Sequence, residues 1–166
     1  MADLTALVEK LDRIASVTLG AAAQAAASGI VQDLRDSGPW WSGEFASNWE
    51  INLDSPVAAT LAPADDSPWG YQDLEDIAAK KTPRRQLPPL TPPSISGLQE
   101  GETRYYFIGN RMIYRDIALD LVPGRLKGGR GGTAPQDWYE TYVVGGGLDQ
   151  SIRLAVNPVL RAEGFR

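Results

Sequence analysis

The chain has 166 residues, 43% of them hydrophobic and 22% charged, values typical of a folded globular domain and not of a disordered chain. That length predicts one domain over residues 1–166. The sequence contains no cysteine and no histidine, which excludes disulfides, thiolate metal ligands and the commonest general base. We therefore expect neither a metal site nor a cofactor.

The net charge of −5 is unevenly distributed along the chain. The formal net charge is −2 for residues 1–36, −7 for residues 37–80 and +4 for residues 81–166. Such segregation favours self-association through complementary faces, although charge on separate solvated loops would give the same numbers. An acidic chain without a basic run is a poor candidate for sequence-specific nucleic-acid binding.

The first predicted element is a long helix, or two helices in close succession, over residues 3–35. Asp3 is a candidate N-cap, and Gly38 followed by Pro39 ends the pattern. Gly20 and Gly29 are the places where the helix would break, since each costs about 1 kcal/mol relative to alanine. Apolar or small residues at three- and four-residue steps share one face, which we expect to be mainly core: Leu4, Leu7, Val8, Leu11, Ile14, Ala15, Thr18, Ala22, Ala25, Ala26, Ile30 and Leu34.

Neither the start of the chain nor this helix predicts a membrane protein. The first residues, Met-Ala-Asp-Leu, lack the basic and apolar parts of a secretory signal. The weakly apolar run at residues 21–27 is far shorter than the roughly 20 residues that cross a bilayer. We therefore expect synthesis in the cytoplasm and no membrane partner.

An aromatic-rich turn follows the helix. Residues 37–52 contain three of the five tryptophans, Trp40, Trp41 and Trp49, together with Phe45. The stretch that ends at Leu53 alternates apolar and polar residues and predicts a half-buried strand. Aromatic side chains near loops are enriched at interface hot spots, but they also cover the core beneath long loops. For Trp49 we favour the core; for the Trp40–Trp41 pair both interpretations stay open.

A proline-rich insertion occupies residues 55–101 and holds 8 of the 12 prolines. Regular structure there should be brief, with one or two helical turns near residues 74–81. Residues 87–96 are typical of an extended, proline-stiffened arm. Long irregular segments in compact domains often bind other molecules, so we expect this arm to reach a neighbouring subunit or partner.

Regular structure returns in the last third of the chain. The apolar run at residues 104–110 predicts a buried central strand closed by a Gly109-Asn110 turn. Helical spacing follows at residues 112–121, where Ile113 joins the apolar side, and again at 136–144 and 149–160. The predicted class is α+β, with a long N-terminal helix on a small, mainly antiparallel sheet, the proline-rich insertion, and short C-terminal helices.

No complete catalytic motif is present. The glycine-rich residues 124–133 lack the preceding strand and the Gly-Lys-Ser/Thr ending of a phosphate loop, so a solvated loop is favoured. Serine nucleophiles lack both histidine and a Gly-x-Ser-x-Gly elbow. The remaining acid–base option is a carboxylate pair such as Asp137 with Glu140 or Asp73 with Asp76, and such pairs are usually surface charge. We expect no enzymatic activity; a small carboxylate-dependent hydrolase is the alternative.

Three short segments, in order, resemble the tail-completion or neck proteins that join heads to tails in long-tailed bacteriophages. Residues 42–49, Ser-Gly-Glu-Phe-Ala-Ser-Asn-Trp, resemble the family's Thr-Gly-Arg-(aromatic or Leu)-Arg-Ala-Ser/Asn-Trp, with Glu44 in place of an arginine. Residues 106–110, Tyr-Phe-Ile-Gly-Asn, resemble its Ile-Tyr-Val-Thr-Asn, without the Leu-Pro-Tyr-Ala that follows there. Residues 131–135, Gly-Gly-Thr-Ala-Pro, resemble its Gln-Ala-Pro.

This resemblance implies a structural subunit of the virion neck. Such a subunit forms a homo-oligomeric ring, expected to be six-fold, between the head connector or adaptor and the tail tube or tail terminator. DNA passes through the lumen without specific recognition. The interface candidates are Trp40, Trp41, Glu44, Phe45, Trp69, Leu90, Arg125, Lys127, Arg130, Trp138 and Tyr139. A stand-alone protein-binding module is a further alternative.

Overall fold

The computed structural model describes residues 4–40, 43–62, 82–95, 102–113, 115–120 and 137–164. The elements in chain order are α1 (Leu4–Ser37), α2 (Glu44–Ser47), β1 (Trp49–Leu53), β2 (Tyr106–Asn110), α3 (Arg115–Asp120), α4 (Trp138–Val144) and α5 (Gly147–Ala162). A long N-terminal helix, a two-stranded antiparallel sheet and short C-terminal helices make up the predicted α+β class. Asp3, the proposed helical turns at 74–81 and the glycine-rich loop lie outside the described residues.

Helix α1 is a single helix of 34 residues, about 51 Å long. It ends as predicted, where the Gly38 amide donates to the Leu34 carbonyl at 3.0 Å. It continues through Gly29 because α5 crosses there: a Cβ at Gly29 would lie 2.9 Å from the Ala155 Cβ. The missing side chain therefore permits the close approach of the two longest helices, which offsets part of glycine's unfavourable helix propensity.

The buried face of α1 agrees only in part with the predicted stripe. Thr18, Ala22 and Leu34 are buried as expected, but Ala27 and Val31 are buried as well. Val31, with no exposed surface, lies in the main core. The difference arises because α1 packs against both α5 and the sheet, so its apolar face is wider than one narrow stripe.

The register of the sheet determines which backbone groups of β2 remain at its outer edge. Trp49 lies opposite Asn110, and Ile51 lies opposite Ile108. Bonds from the Arg111 amide to the Asn48 carbonyl (2.9 Å) and from the Asp54 amide to the Tyr105 carbonyl (2.8 Å) identify the hydrogen-bonded pairs. Because these pairs alternate, Phe107 and Gly109 direct their amides toward β1, whereas Tyr106, Ile108 and Asn110 direct theirs away from it.

Two predictions about this strand are corrected. Within the part of the chain that the structure describes, β2 has one strand partner and lies at an edge instead of the centre. Gly109 and Asn110 belong to the strand and do not form a turn. Ile113 is also not part of an apolar helical face, because α3 begins at Arg115 and leaves Ile113 57% exposed.

The proline-rich residues 82–95 have no helix or strand and lie along α1. Three side chains of α1 donate to their carbonyls: Gln24 to Pro93 (3.1 Å), Ser28 to Leu90 (2.9 Å) and Arg35 to Pro88 (2.8 Å). The order of these bonds makes the segment antiparallel to α1. The six residues from Pro88 to Pro93, in extended chain, and the twelve residues from Gln24 to Arg35, in helix, both span about 18 Å.

The expected contact of this arm with a neighbouring subunit or partner stays a prediction. The described part of residues 87–96 packs on its own helix. Proline lacks an amide hydrogen, so its carbonyl is the only backbone group that it offers, and α1 supplies the matching donors.

None of the helices in the described ranges is long and apolar enough to span a bilayer.

Candidate protein interface

Two of the segments that carry the resemblance lie against each other. The Asn110 Nδ2 donates to the Phe45 carbonyl at 2.7 Å, and the Asn110 Oδ1 accepts from the Met112 amide at 3.0 Å. Asn110 is only 1% exposed, so both bonds are shielded from water. Together with the pairing of Trp49 and Asn110, these bonds join residues 43–49 and 106–110 into what we call the motif unit.

The residue types in the first half of the motif unit have local structural reasons. Gly43 has a φ of 87°, and a Cβ there would lie 2.8 Å from the Trp40 ring, so glycine is required on both counts. One helical turn follows, closed by bonds from the Ser47 hydroxyl to Gly43 and from the Asn48 amide group to Glu44. The Phe45 ring then meets the Trp49 ring edge-on at 5.7 Å.

Trp40, one of the interface candidates, lies in the core of the chain. It is 2% exposed, and its indole Nε1 donates to the Thr82 carbonyl at 3.2 Å. The Arg84 guanidinium lies 5.5 Å from its ring and also donates to the carbonyls of Arg35 and Gly38 at the end of α1. Arg84 thus satisfies C-terminal carbonyls of the helix and complements its dipole.

Phe45 and Trp138, two further interface candidates, are also buried, being 7% and 4% exposed. The Trp138 Nε1 donates to the Ala118 carbonyl at 3.1 Å, which ties α4 to α3. Among the other candidates, Glu44, Leu90 and Tyr139 are half-buried and keep some accessible surface. Trp41, Trp69, Arg125, Lys127 and Arg130 lie outside the described residues.

A cavity of about 250 Å³ lies beside the outer edge of β2, and we call it the edge groove. Its lining includes Trp49, Val57, Ile108, Arg115, Leu119 and Tyr139. The Arg115 Nη1 donates to the carbonyls of Val57 (2.8 Å) and Asn110 (3.2 Å), which holds the chain after β1 across the sheet. Gly109 permits this crossing, since a Cβ there would lie 2.8 Å from the Val57 Cβ.

Two buried side-chain donors lack an acceptor in the described structure, the Trp49 Nε1 and the Arg35 Nε. Such groups are rare in folded proteins and each costs about 1–3 kcal/mol. Burial lowers the pKa of the Arg35 guanidinium, although neighbouring Asp36 opposes that effect. Of these two residues, Trp49 lines the edge groove. The free-energy cost of its buried donor is therefore located at a candidate binding surface.

A buried polar network connects three helices. The Ser151 hydroxyl of α5 bonds to the Tyr142 hydroxyl (2.8 Å), to the Asp33 carboxylate (2.5 Å) and to the Gly147 carbonyl (2.8 Å). Burial raises the pKa of the Tyr142 phenol; the Ser151 bond opposes this, and the Asp33 charge adds to it. Ser151 is 3% exposed, so this network has no access for a substrate and serves to align the helices.

The carboxylates considered for catalysis are not gathered at the edge groove. Asp137 and Glu140 are both exposed, and Asp137 accepts a bond from the Thr141 hydroxyl at 3.3 Å. Among the described residues, no group of three or more acidic side chains could hold a metal ion. The other pair, Asp73 with Asp76, lies outside the described ranges.

Sequence reasoning missed Asn110, Arg115 and Val57, which organise the motif unit and the edge groove. A signal existed for Asn110, because an asparagine next to a strand often bonds to nearby backbone.

Comparison of the chain with protein-family models, curated proteins and solved structures found no match. Of the three resembling segments, the structure brings residues 43–49 and 106–110 together; residues 131–135 lie outside the described part.

Proposed function

We propose that this chain is a structural subunit of a phage virion neck, part of a ring that joins the head connector to the tail tube and lets DNA pass. The observation that supports it best is the motif unit. Residues 43–49 and 106–110 resemble one family at two distant places in the sequence, and they are bonded to each other through Asn110. If the two short segments resembled the family by chance alone, nothing would require them to be in contact.

The chemistry of the motif unit also favours assembly over catalysis. Its aromatic residues pack in the core, and Asn110 bonds to backbone groups. In this proposal the chain has no enzymatic activity and needs no cofactor. A closed ring requires two different complementary faces on each subunit, and the −7 and +4 balances of residues 37–80 and 81–166 offer opposite charge for them.

A stand-alone binding module is the second candidate function, and the edge groove favours it. A subunit of a ring and an independent module would both use exposed strand edges and apolar clefts to hold a partner. The two differ in stoichiometry, because a ring repeats one contact around an axis whereas a module makes it once.

The proposal is tested by particle assembly without this chain. We expect the host cell to accumulate DNA-filled heads and separate tails, which join after the purified chain is added. The variant Glu44→Ala, on the motif unit, should join them less efficiently than Glu163→Ala, an exposed residue after α5. Normal tailed particles in the absence of the chain would contradict the proposal, as would a catalytic turnover that disappears on Asp137→Ala in a folded protein.

A further inference from the structure

Residues 88–95, which we call the strap, are held on the body of the protein by side chains alone. Carbonyls of the strap accept hydrogen bonds from Gln24, Ser28 and Arg35 of α1, and the Tyr106 hydroxyl donates to one of them as well. Within the described ranges, no backbone–backbone hydrogen bond reaches the strap. Five of its eight residues are exposed, so little apolar burial opposes its release.

The surface beneath the strap has a defined chemistry. We call its four donors, Gln24, Ser28, Arg35 and Tyr106, the strap seat. In each of their bonds to the strap backbone the seat donates and the strap accepts. The seat therefore requires no amide from its ligand, and an extended segment rich in proline, which lacks the amide hydrogen, meets this requirement. Binding of extended proline-rich segments is a recurrent mode of peptide recognition.

The strap is an incomplete ligand for this seat. Arg35 is 5% exposed, and its Nη1 donates to the Pro88 carbonyl at 2.8 Å, which directs the guanidinium toward the strap. Its Nε has no acceptor, and in the described structure it forms no ion pair with neighbouring Asp36. A buried charged donor without an acceptor is costly, so a ligand that brings a carboxylate to Arg35 gains a charge-assisted hydrogen bond that the strap does not make.

The strap of a second copy would not supply that carboxylate either. Residues 82–95 contain no aspartate and no glutamate. Another copy would therefore leave Arg35 as unsatisfied as the chain's own strap does, and it would lack the advantage of being tethered to the seat. The seat thus favours a partner whose proline-rich segment is acidic.

From these features we infer that the strap seat binds an extended, proline-rich and acidic segment of a partner protein in place of the strap. The carbonyls of that segment take over the bonds of the strap, and a carboxylate on the residue before the one that replaces Pro88 pairs with Arg35. The strap leaves by bending at Arg85 and Gln86, which are exposed, while Arg84 stays bonded to the end of α1. The inference does not depend on the neck proposal.

Thiol labelling of the full chain provides the first test, because the sequence contains no cysteine. Pro92→Cys places a thiol at the buried position of the strap, and Ala27→Cys places one in the main core as the control. The probes are blocked peptides of residues 86–95 in which Leu87 is kept or replaced by Glu, Gln or Lys. With the Glu peptide in excess, labelling at position 92 should become at least about fivefold faster, and labelling at position 27 should not change.

The charge of the peptide and of the seat is tested next. The Glu peptide should bind about tenfold more tightly than the Lys peptide, with the Gln peptide between them. Arg35→Gln should reduce this preference to less than about threefold, whereas Arg153→Gln, at an exposed position of α5, should keep it. Circular dichroism checks that each variant folds, and the Glu and Lys peptides on the Pro92→Cys chain decide the matter if Arg35→Gln does not fold.

A variant of the strap itself gives a second measure that needs no peptide. Leu87→Glu, added to Pro92→Cys, lets the strap supply the carboxylate to Arg35. Labelling at position 92 should then be slower than with Leu87→Gln, which has nearly the same size but no charge. The same pair of substitutions at Thr91, an exposed position of the strap, is the matched control and should give equal rates.

Four results would overturn the inference. If no peptide changes labelling at position 92, the strap is a permanent part of the fold. If labelling at positions 92 and 27 rises equally, the peptide unfolds the chain. If the Glu and Lys peptides act equally, the seat does not select an acidic partner. If the peptide with Leu87 kept acts as strongly as the Glu peptide, a second copy is an equally good occupant. None of these results bears on particle assembly without the chain, so the two proposals can fail separately.

Discussion

Replacement of Asn110 by alanine should destabilise the fold more than its small change in volume suggests. The side chain supplies both a donor to the Phe45 carbonyl and an acceptor for the Met112 amide, and it is 1% exposed. Asn110→Ala leaves the Met112 amide buried without a partner, at about 1–3 kcal/mol, and removes one of two donors to the Phe45 carbonyl, at about 0.5–1.5 kcal/mol, since the Asn48 amide still bonds to that carbonyl at 3.3 Å. We expect a loss of about 2–4 kcal/mol in the free energy of unfolding, a large share of the total for a domain.

The assay is urea unfolding followed by circular dichroism, with thermal unfolding as a second measure. The expected loss corresponds to a melting temperature lower by about 5–15 °C for a chain of this size. Asn52→Ala is the matched control, because Asn52 lies on β1 opposite Phe107 and its side chain makes no hydrogen bond with the described residues. That variant should stay within about 0.5 kcal/mol of the unaltered protein.

Asn110→Asp tests the same bonds through pH. The introduced carboxyl keeps the acceptor for Met112 but turns an oxygen toward the Phe45 carbonyl, so burial and repulsion raise its pKa in the folded state. If the pKa of this carboxyl is higher in the folded than in the unfolded state, where it is about 3.9, the carboxyl contributes stability below pH 3.9. That contribution is lost as the pH rises through the pKa of the folded state. The free energy of unfolding of Asn110→Asp should therefore fall further below that of the unaltered protein at pH 7 than at pH 4.

This reasoning is refuted if Asn110→Ala costs no more than Asn52→Ala. It is also refuted if the deficit of Asn110→Asp is the same at both pH values. In either case Asn110 would not hold residues 43–49 and 106–110 together, and the motif unit would lose its main bond.

Three further predictions follow from other contacts. Gly29→Leu should lower the unfolding free energy by about 1–3 kcal/mol in the same urea assay, because it forces α1 and α5 apart at Ala155; a neutral effect would mean that the helices do not cross there. Arg84→Ala should cost about 1–3 kcal/mol and alter Trp40 fluorescence, since the guanidinium bonds to carbonyls of α1 and lies over that ring; unchanged emission would contradict this contact. Since burial raises the pKa of the Tyr142 phenol, stability should fall as pH rises above about 10 toward the folded value, and Tyr142→Phe should show a smaller alkaline decline than the unaltered chain.

Local sequence features were sufficient to predict the fold class, helix α1 and strand β1. The periodicity of residues 3–35 and the Gly38-Pro39 stop correspond to α1 and its end, and the alternation up to Leu53 corresponds to β1. These features depend on neighbours in the chain, which a single sequence displays. The irregular backbone of residues 82–95 was predicted for the same reason, because proline restricts structure locally.

The positions of side chains depended on contacts between distant residues, and these were not predictable. Trp40 and Trp138 are interface candidates by sequence, yet each donates its indole hydrogen to a carbonyl from another part of the chain. Gly109-Asn110 has the composition of a tight turn, but the pairing with β1 keeps it extended. The prolines carry no signal of the donors on α1 that hold them.

Electron cryomicroscopy of the tailed particle that incorporates this chain would test the neck proposal in a single observation. We expect a closed ring of six copies at the head–tail junction, with DNA in the lumen and the motif unit of each copy in contact with a neighbouring protein. The chain found elsewhere in the particle, or present at the junction as one asymmetric copy, would contradict the proposal.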